Sequence, residues 1–386
     1  MQRFAKDKSD GDQTPVVLHV VQSLQGGGAE ALVCDLIPRL RQRGIDARVL
    51  CAYDSTQLPP SEVSGWVDSV YYQQRTGISK FQYLMTMRGL MRRISPHIVH
   101  THTHVGSTWG RAAAVLAGVP LIIHTEHRSV ETFTGLERAA TTILNHRTQA
   151  IITFSERTAE LVRRREAVRE ISVIPNGIPL RPAPTQEDRH AAREKLGFEE
   201  NLVIVGVVAN LYEHKNPALA IEAFACISSD TRRGSRLAFF GDGPLRSDLL
   251  RRVQELELEG LVRFYGFRND LKSLLPGLDL VLTTSPREMM PISLLEAMNA
   301  ALPIIGTPHA GTLDLVIDRE TGLILRSWDQ AAIAEAIEQA VLQPGWRHRA
   351  GEAAYERLKR NFDIEMVTDR YVDLYRKMLR RKLALN

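Results

Sequence analysis

The chain has 386 residues, of which 44% are hydrophobic and 24% charged, and its formal net charge is +4. This length exceeds one ordinary hydrophobic core, so two domains are expected. The small net charge is not typical of a dedicated nucleic-acid-binding protein. Three cysteines, none in a CxxC spacing, argue against a disulfide framework and against a thiolate zinc site. No apolar run approaches the roughly 20 residues of a membrane-spanning helix.

The first half of the chain predicts a doubly wound α/β domain over residues 15–180. Residues 1–14 are polar, lack the apolar core of a signal peptide, and are expected to form a disordered tail. Short, continuously apolar runs then alternate with amphipathic stretches, as in parallel sheets buried on both faces. Strands are predicted at 16–22, 47–53, 97–102, 120–125, 150–155 and 171–176, and helices at 29–43, 79–94, 106–117, 133–147 and 155–169.

A second domain of the same kind is predicted over residues 186–364. Residues 178–188 carry three prolines and have the composition of a linker. Beyond them, strands are predicted at 202–210, 236–241, 262–266, 278–285, 302–307 and 322–325, and helices at 216–228, 244–258, 291–300 and 329–342. A basic amphipathic helix follows, and residues 365–386 either cap the second domain or pack back on the first.

The fold class is therefore α/β, with two tandem Rossmann-like domains. Ligands of open α/β sheets bind beyond the carboxyl ends of the strands. Two facing sheets would place two ligand sites opposite each other across an interdomain cleft, which suits a transfer between two substrates.

The strongest candidate site lies in residues 285–298, SPREMMPISLLEAM. Pro291 is expected to start a helix, with Glu288 in the loop before it and Glu296 within it. The start of a helix binds anions, here through the backbone N–H groups of Ile292, Ser293 and Leu294. A phosphate could therefore dock between two carboxylates that bind sugar and ribose hydroxyls. The alternative is an ordinary helix with incidental glutamates.

A glycine-rich loop, GGGAE at residues 26–30, follows the first predicted strand. Such a loop lets backbone N–H groups approach a phosphate or a sugar. The stretch from Gly26 to Ala31 also fits the G-x-G-x-x-A fingerprint of nicotinamide-binding proteins, with Asp54 as the acidic partner. Glycines of a tight turn are the alternative. The stretch from Gly241 to Pro244 repeats the loop in the second half.

Histidines and one lysine are further candidates. Alternation would place His100, His102 and His104 on one face of an extended segment, and H-x-H can ligate a metal ion. No matching acidic or cysteine ligands follow, so hydrogen-bonding cleft histidines are favoured and no metal is expected. Lys215 lies where a loop of the second domain would face the cleft, and it could neutralise a departing diphosphate. A solvated loop lysine is the alternative.

Together these segments resemble glycosyltransferase family 4, the retaining enzymes of the GT-B fold, over nearly the whole chain from residue 16. The most specific part is E-x7-E, formed by Glu288 and Glu296. Other segments agree in order: GGGAE, HIVHTH (97–102), HTEH (124–127), IPNGI (174–178), the lysine loop, GDGP (241–244), FYGFRNDL (264–271), LPIIGTPHAG (302–311) and ETGLIL (320–325).

The resemblance implies roles for individual residues. In the second domain, Glu288 would bind hydroxyls of the transferred sugar, Glu296 the ribose, and Lys215 the diphosphate, aided by the backbone of residues 292–294. Phe267 and Arg268 would lie near the base. From the first domain, Gly27 and Gly28 would approach the donor, and His127 would lie near the sugar. The catalytic candidates are His127, Glu288 and Lys215, and neither a cofactor nor a metal is required.

Two positions depart from the family pattern. The family's arginine beside the lysine is replaced by Asn210, which carries no charge. Leaving-group stabilisation would then rest on Lys215 and the helix, or on an arginine from elsewhere. Met289 replaces a glycine of the family motif, and its bulk beside the sugar pocket is expected to narrow the choice of donor.

The predicted function is a hexosyltransferase-type, retaining transfer of a sugar from a UDP- or GDP-type nucleotide sugar to a hydroxyl acceptor. A lipid-linked or polysaccharide precursor is a possible acceptor. The alternatives are a nicotinamide-dependent oxidoreductase, a sugar-nucleotide epimerase and a non-catalytic glycan-binding protein. A cytoplasmic location is expected, without nucleic-acid partners. Arginine clusters are either solvated helix faces or contacts with the inner face of the membrane, as at residues 92–93, 163–165 and 380–382.

Overall fold

The computed structural model describes residues 14–24, 27–53, 65, 69–73, 77–127, 135–165 and 168–384. Most of the predicted tail, residues 1–13, lies outside the described residues. So do Gly26 and Asp54, two positions of the nicotinamide fingerprint. Among the described residues, no helix combines the length and the apolar character needed to cross a bilayer.

The first domain contains a seven-stranded parallel sheet with the strand order β3-β2-β1-β4-β5-β6-β7. Its strands are β1 Val16–Val21, β2 Asp46–Cys51, β3 Val70–Tyr72, β4 Ile98–Thr101, β5 Leu121–Thr125, β6 Ala150–Thr153 and β7 Ile171–Val173. The helices are α1 Gly28–Gln42, α2 Lys80–Ile94, α3 Thr103–Val105, α4 Arg111–Ala117, α5 Gly135–Asn145 and α6 Glu156–Arg165, with a π-helical turn at Gly106–Gly110.

The second domain repeats this arrangement with six parallel strands in the order β10-β9-β8-β11-β12-β13. They are β8 Val203–Val208, β9 Ser235–Phe240, β10 Val262–Phe264, β11 Leu280–Thr283, β12 Ile304–Gly306 and β13 Gly322–Ile324. The helices are α7 Gln186–Leu196, α8 Pro217–Cys226, α9 Ser229–Arg233, α10 Arg246–Glu255, α11 Leu271–Leu274, α12 Ile292–Asn299, α13 Ala310–Leu315, α14 Gln330–Leu342, α15 Pro344–Asn361 and α16 Ile364–Leu383, and short 3-10 turns lie at Glu213–Lys215 and Leu275–Gly277.

Both sheets are buried on both faces, as their uninterrupted apolar runs predict. Strand β1 buries Val17, Leu18, Val20 and Val21 completely, and β5 buries all five of its residues. The strand order reverses between β1 and β4 and again between β8 and β11, so each domain has a switch point where ligands of doubly wound folds bind.

Two long helices were not predicted from the sequence. Helix α7 starts inside the proline-rich linker, where Thr185 and Asp188 form a capping box. Helix α15 has few apolar positions because its inner face is built from small residues, such as Ala350, Gly351 and Ala354. A Cβ at Gly351 would lie 1.9 Å from the carbonyl oxygen of Ala301, so this helix packs directly on backbone.

The C-terminal helix α16 packs on the first domain. Val367, Tyr371 and Tyr375 are fully buried in the same core cluster as α1 and β1. At the surface, Arg39 of α1 and Arg43, the residue after its last turn, form hydrogen-bonded ion pairs with acidic residues near the start of α16. The chain thus returns to the first domain after completing the second.

The returning chain runs beside the outgoing one. The backbone N–H of Ile178 donates to the carbonyl oxygen of Phe362 at 3.1 Å, and the N–H of Ile364 donates to the carbonyl of Ile178 at 3.1 Å. Gly177 belongs to this crossing, since an added Cβ would lie 2.7 Å from a methyl group of Val367. The two domains are therefore joined by two paired segments.

Candidate active site

A cleft of about 1320 Å³ separates the two domains and is lined by residues from both. All of the predicted donor-binding residues line it except Leu294. The side chain of Leu294 is buried in the core, and its N–H donates to the carbonyl oxygen of Pro291 at 3.2 Å. The sequence-based expectation that this N–H is free is therefore wrong, and Ile292 and Ser293 form the exposed part of the helix start.

The cleft faces the start of α12. Pro291 is the residue before the helix, with φ −71° and ψ 128°, and not its first helical residue. The first turn of α12 has no acidic residue and no side-chain cap, so the partial positive charge of its start is open to a ligand. Glu296 lines the cleft from the second turn, and burial raises the pKa of its carboxyl group. A nearby cation, the ammonium group of Lys272, lies 4.0 Å from it.

Lys215 and Glu288 meet directly at the cleft wall, where the Lys215 ammonium donates to a carboxylate oxygen of Glu288. The loop of Lys215 is fixed by Thr284, whose hydroxyl donates to the carbonyls of Lys215 and Asn216. Asn216 itself has φ 50°, a left-handed turn that ends the 3-10 segment before α8. The family resemblance assigns Lys215 to the diphosphate and Glu288 to the sugar, and in this structure the two side chains form an ion pair with each other.

The loop of Glu288 is held by the segment around His309. The N–H of Gly311 donates to the carbonyl oxygen of Glu288 at 2.9 Å, and an added Cβ at Gly311 would lie 2.5 Å from Pro291. His309 accepts from the N–H of Thr312, and burial lowers the pKa of His309 to about 4. This neutral histidine and Gly311 therefore support the loop, a role the sequence motif did not identify.

Met289 and Met290 are both buried, at 6% and 5% exposure, although both touch the cleft. Asn176 donates from its side chain to the carbonyl of Met290 at 2.7 Å. The IPNGI segment therefore ties the first domain to the E-x7-E loop. Asn176 was not assigned a site role from the sequence.

The glycines of the GDGP segment are required mainly by close backbone packing within the second domain. Gly241 has φ 136°, and an added Cβ would lie 2.1 Å from the carbonyl oxygen of Ala209. An added Cβ at Gly243 would lie 2.5 Å from the carbonyl of Leu211. These contacts hold the loop that presents Asn210, and of the two glycines Gly241 lines the cleft.

The wall of the cleft around Asn210 and Phe267 is open to solvent. Asn210 is exposed, and Phe267 is 62% exposed. Arg268 donates to both carboxylate oxygens of Asp270 at 2.7 Å, and Asp270 in turn raises the pKa of Arg268. Arg268 therefore lines the cleft as one half of an ion pair, as Lys215 does.

On the opposite wall, the glycine-rich loop approaches α12 closely. A Cβ at Gly28 would lie 3.1 Å from the side chain of Ile292. The carboxylate of Glu30 folds back over Gly27, and burial raises the pKa of Glu30. Glu30 also lines the cleft, although the sequence analysis gave it no role.

Histidines form the base of the first-domain wall. Strand β4 ends at Thr101, and Thr103 has φ 58° at the start of a helical turn that contains His104. The expected extended segment from His100 to His104 is therefore wrong beyond His102. His127 contacts the cleft, and its Nε2 lies 3.2 Å from Nδ1 of His102.

Three buried histidines, His19, His100 and His102, bring ring nitrogens within 4.8 Å of one another. A metal ion could be ligated by such a group, yet all six of their ring nitrogens already have hydrogen-bond partners in the protein. Burial lowers the pKa of His19 to about 3 and that of His127 to about 3. These imidazoles are neutral at neutral pH.

The fold and this cleft define the class of GT-B glycosyltransferases. Solved structures with the same architecture include Anabaena HepE in complex with UDP and glucose (TM-score 0.82, 19% identity, covering 94% of this chain and 100% of that one). WaaG, a glycosyltransferase involved in lipopolysaccharide biosynthesis, gives a TM-score of 0.73 at 18% identity, covering 93% and 99%.

The sequence matches two family descriptions in tandem. Residues 26–181 match "Glycosyltransferase Family 4", and residues 188–357 match "Glycosyl transferases group 1". The chain is therefore a glycosyltransferase of family 4.

Curated relatives share this class of activity. The UDP-Gal:alpha-D-GlcNAc-diphosphoundecaprenol alpha-1,3-galactosyltransferase of Escherichia coli is 28% identical over 79% of this chain and 81% of its own length. The putative glycosyltransferase EpsD of Bacillus subtilis (strain 168) is 30% identical over 50% of each chain. The comparisons support a transferase and not an oxidoreductase, an epimerase or a non-catalytic binding protein.

Proposed function

We propose that this protein transfers a hexose from a nucleoside diphosphate sugar to a hydroxyl group, with retention of the anomeric configuration. The observation that carries the proposal is the uncapped start of α12, flanked in the cleft by Lys215, Glu288 and Glu296. A helix start and an ammonium group suit a diphosphate, and carboxylates suit the hydroxyls on either side of it.

The departing diphosphate requires positive charge in the cleft to stabilise it. As the bond from the anomeric carbon to the diphosphate breaks, negative charge grows on the phosphate oxygens. The Lys215 ammonium and the N–H groups of Ile292 and Ser293 stabilise that charge. Donor binding would draw Lys215 from Glu288 to the phosphate and leave the carboxylate to accept from sugar hydroxyls. These groups supply the positive charge without a metal ion, so we expect transfer to persist in excess EDTA.

Retention follows from attack on the face that the diphosphate leaves. An acceptor held against the first-domain wall would approach from that side once the walls close and exclude water. Family membership favours this course. The anomeric proton coupling of the new glycosidic bond, measured by NMR and compared with that of the donor, distinguishes retention from inversion.

Calorimetric titration with UDP and GDP tests the donor site. UDP is the first choice because one relative is named for UDP-Gal and HepE was crystallised with UDP and glucose. Lys215→Ala and Glu296→Ala should each weaken the nucleotide by roughly tenfold or more, on the scale of one charge-assisted hydrogen bond. Glu170→Ala is the control, because Glu170 pairs with Lys377 and Arg381 outside the cleft. Unchanged affinity in both cleft variants would refute the site.

The acceptor is proposed to be a lipid-linked glycan at the inner face of the membrane. The relative from Escherichia coli is named for a diphosphoundecaprenol acceptor. In the first domain, Phe81 is 70% and Leu116 is 45% exposed on α2 and α4, and α2 also carries the basic pair Arg92 and Arg93. Apolar and basic side chains on neighbouring helices suit anionic lipid.

Vesicle sedimentation tests this surface. Binding to vesicles with 30% phosphatidylglycerol should exceed binding to pure phosphatidylcholine by about tenfold. Phe81→Ser should reduce binding, whereas Leu342→Ser, an equally exposed position on α14 of the second domain, should not. Equal binding to both vesicle types would remove the membrane proposal without affecting the donor site.

A further inference from the structure

A line of hydrogen-bonded side chains runs from the cleft to the C-terminal helix. His127 Nε2 lies 3.2 Å from His102 Nδ1, and His102 Nε2 lies 3.1 Å from His19 Nδ1. His19 Nε2 faces Tyr375 Oη at 3.5 Å. Of these side chains, those of His102, His19 and Tyr375 are fully buried, so water does not substitute for any of the contacts between them.

The line continues beyond α16. Tyr375 Oη lies 2.6 Å from His100 Nδ1, and His100 Nε2 lies 2.7 Å from Thr125 Oγ1. We call this set the histidine chain, and its members in order are His127, His102, His19, Tyr375, His100 and Thr125.

Each imidazole in the histidine chain is neutral. Burial lowers the pKa of His19 and His127 to about 3, and it lowers the pKa of His100 and His102 well below the usual value. A neutral imidazole has one N–H and one bare nitrogen. Every contact in the chain needs one proton, and Tyr375 has a single proton to donate, so a bond donated by Tyr375 to one neighbour fixes the direction of the others.

The contact between Tyr375 and His100 sets that direction. A separation of 2.6 Å is shorter than the usual 2.7–3.2 Å range of N–H···O bonds but ordinary for an O–H donor. Tyr375 therefore donates to His100 Nδ1, and His100 donates from Nε2 to Thr125. The 2.7 Å between these last two atoms is compatible with an N–H donor.

The remaining protons follow. Tyr375 donates its only hydroxyl proton to His100, so its oxygen can only accept a hydrogen bond from His19. His19 Nε2 must then carry a proton, since two lone pairs would repel each other in a buried contact. His19 Nδ1 accepts from His102 Nε2, and His102 Nδ1 accepts from His127 Nε2.

We propose that Tyr375 is a positioning residue that acts through His19 and His102 to hold His127 as the Nε2–H tautomer. His127 then presents an unprotonated Nδ1, which accepts a hydrogen bond from a hydroxyl of the bound sugar. The role of the sugar rests on the proposed function, but the tautomer is a property of the protein without ligand. The last helix of the chain thereby sets the hydrogen-bonding character of a cleft residue.

Long-range ¹H–¹⁵N correlation spectra of ¹⁵N-histidine-labelled protein test the tautomer directly. The signal of His127 is identified by its loss in His127→Asn, and it should show Nε2–H in the wild type. In Tyr375→Phe, which keeps the ring and removes the hydroxyl, His127 should populate both tautomers. Tyr371→Phe is the matched control. Tyr371 is fully buried one turn earlier on α16, and its hydroxyl faces Thr125, which lies at the end of the histidine chain opposite to His127.

Kinetics give a second readout. Tyr375→Phe should raise the KM for the nucleotide sugar roughly fivefold, the scale of one hydrogen bond, and leave the Kd of UDP unchanged because UDP carries no sugar. Tyr371→Phe should change neither. A general loss of packing would alter both quantities in both variants.

Three results would overturn the proposal: an Nδ1–H tautomer of His127 in the wild type, identical histidine spectra in the two phenylalanine variants, or a stoichiometric metal ion in the purified protein that His19→Gln removes. If the spectra are as expected but no nucleotide sugar is consumed with any acceptor, the histidine chain stands and the proposed function fails.

Discussion

The two walls of the cleft are built on the same strand order but use different chemistry. On the first-domain wall, neutral histidines are hydrogen-bonded to one another; His19 and His102 are fully buried, and His127 contacts the cleft. On the second-domain wall, Lys215, Glu288 and Glu296 remain partly exposed around a helix start, with side-chain exposures of 21%, 17% and 16%, and Lys215 and Glu288 form an ion pair. One doubly wound frame thus supports a wall of neutral histidines and a wall that carries an ion pair beside a helix start.

Burial explains the difference. Taking an unpaired charge out of water is costly, so the deep wall can hold titratable groups only in their neutral form. The charged wall lies where water still reaches it, and its ion pair can exchange partners when a ligand arrives. The contrast makes four predictions, given from the largest expected effect to the smallest.

Acid should unfold the first domain before the second. The pKa of His19 is about 3 in the folded state and 6.5 in the unfolded state, so only the unfolded chain takes up the proton between these values. Its stabilising contribution is complete above pH 6.5 and is lost progressively as the pH falls toward 3. From pH 7 to pH 5, His19 alone lowers the free energy of unfolding by about 2 kcal/mol, and His100 and His102 act in the same direction.

Denaturant titrations at pH 7 and pH 5, read by pulsed hydrogen exchange and mass spectrometry, would resolve the two domains. Peptides from β1 and β4 should lose protection at lower denaturant at pH 5, while those from β8 and β11 should shift less. Among the described residues of the second domain, His309 is the only buried histidine. An equal shift in both domains would contradict the contrast.

Lys215→Ala should lower kcat by about 10²–10³-fold, the usual loss when a preorganised charge at a leaving group is removed. Lys272→Ala is the control, because Lys272 lines the same cleft at 46% side-chain exposure and lies 4.0 Å from Glu296. It should lower kcat by less than about tenfold. Steady-state rates with a common donor give both values. Equal losses would mean that the charge of the wall matters and the position of Lys215 does not.

Gly28→Val should lower kcat/KM by about tenfold, because the added side chain meets Ile292 and keeps the walls apart. The Kd of UDP should change little, since the charged wall is intact. Gly89→Val on α2 is the control, as an added Cβ there meets no atom within 4 Å. A loss of UDP binding in Gly28→Val would show that the glycine-rich loop belongs to the nucleotide site itself.

The smallest effect concerns the surface contacts of α16. Arg43 donates to Asp369 at 2.5 Å, with side-chain exposures of 23% and 64%. A double-mutant cycle of Arg43→Ala and Asp369→Ala should give a coupling of about 0.2–1 kcal/mol in the unfolding of the first domain. The unfolding of the second domain should not change, although α16 follows it in sequence. A coupling seen only in the second domain would contradict the packing of α16.

The alternation of apolar and amphipathic segments predicted both parallel sheets, because buried strands such as β5 leave a continuous apolar signature. It did not predict α15, whose contact face consists of small residues that pack on backbone. The E-x7-E spacing located the start of α12, since proline and a helical pattern are local signals. It could not show that the N–H of Leu294 is already bonded to Pro291.

The histidine chain was beyond sequence analysis for a different reason. His100 and His102 attracted attention by their spacing, but His19 and Tyr375 come from β1 and α16, which are separated by more than 350 residues. Their contact depends on the return of α16 to the first sheet. Similarly, nothing local indicates that Lys215 and Glu288 form an ion pair, because two loops of the second domain bring them together.

The paired segments at Ile178 and Phe362–Ile364 restrict the relative motion of the two domains. A single linker would let the two domains rotate relative to each other about any axis. Two hydrogen-bonded segments favour rotation about one axis. Opening and closing of the cleft are therefore expected to turn about these paired segments.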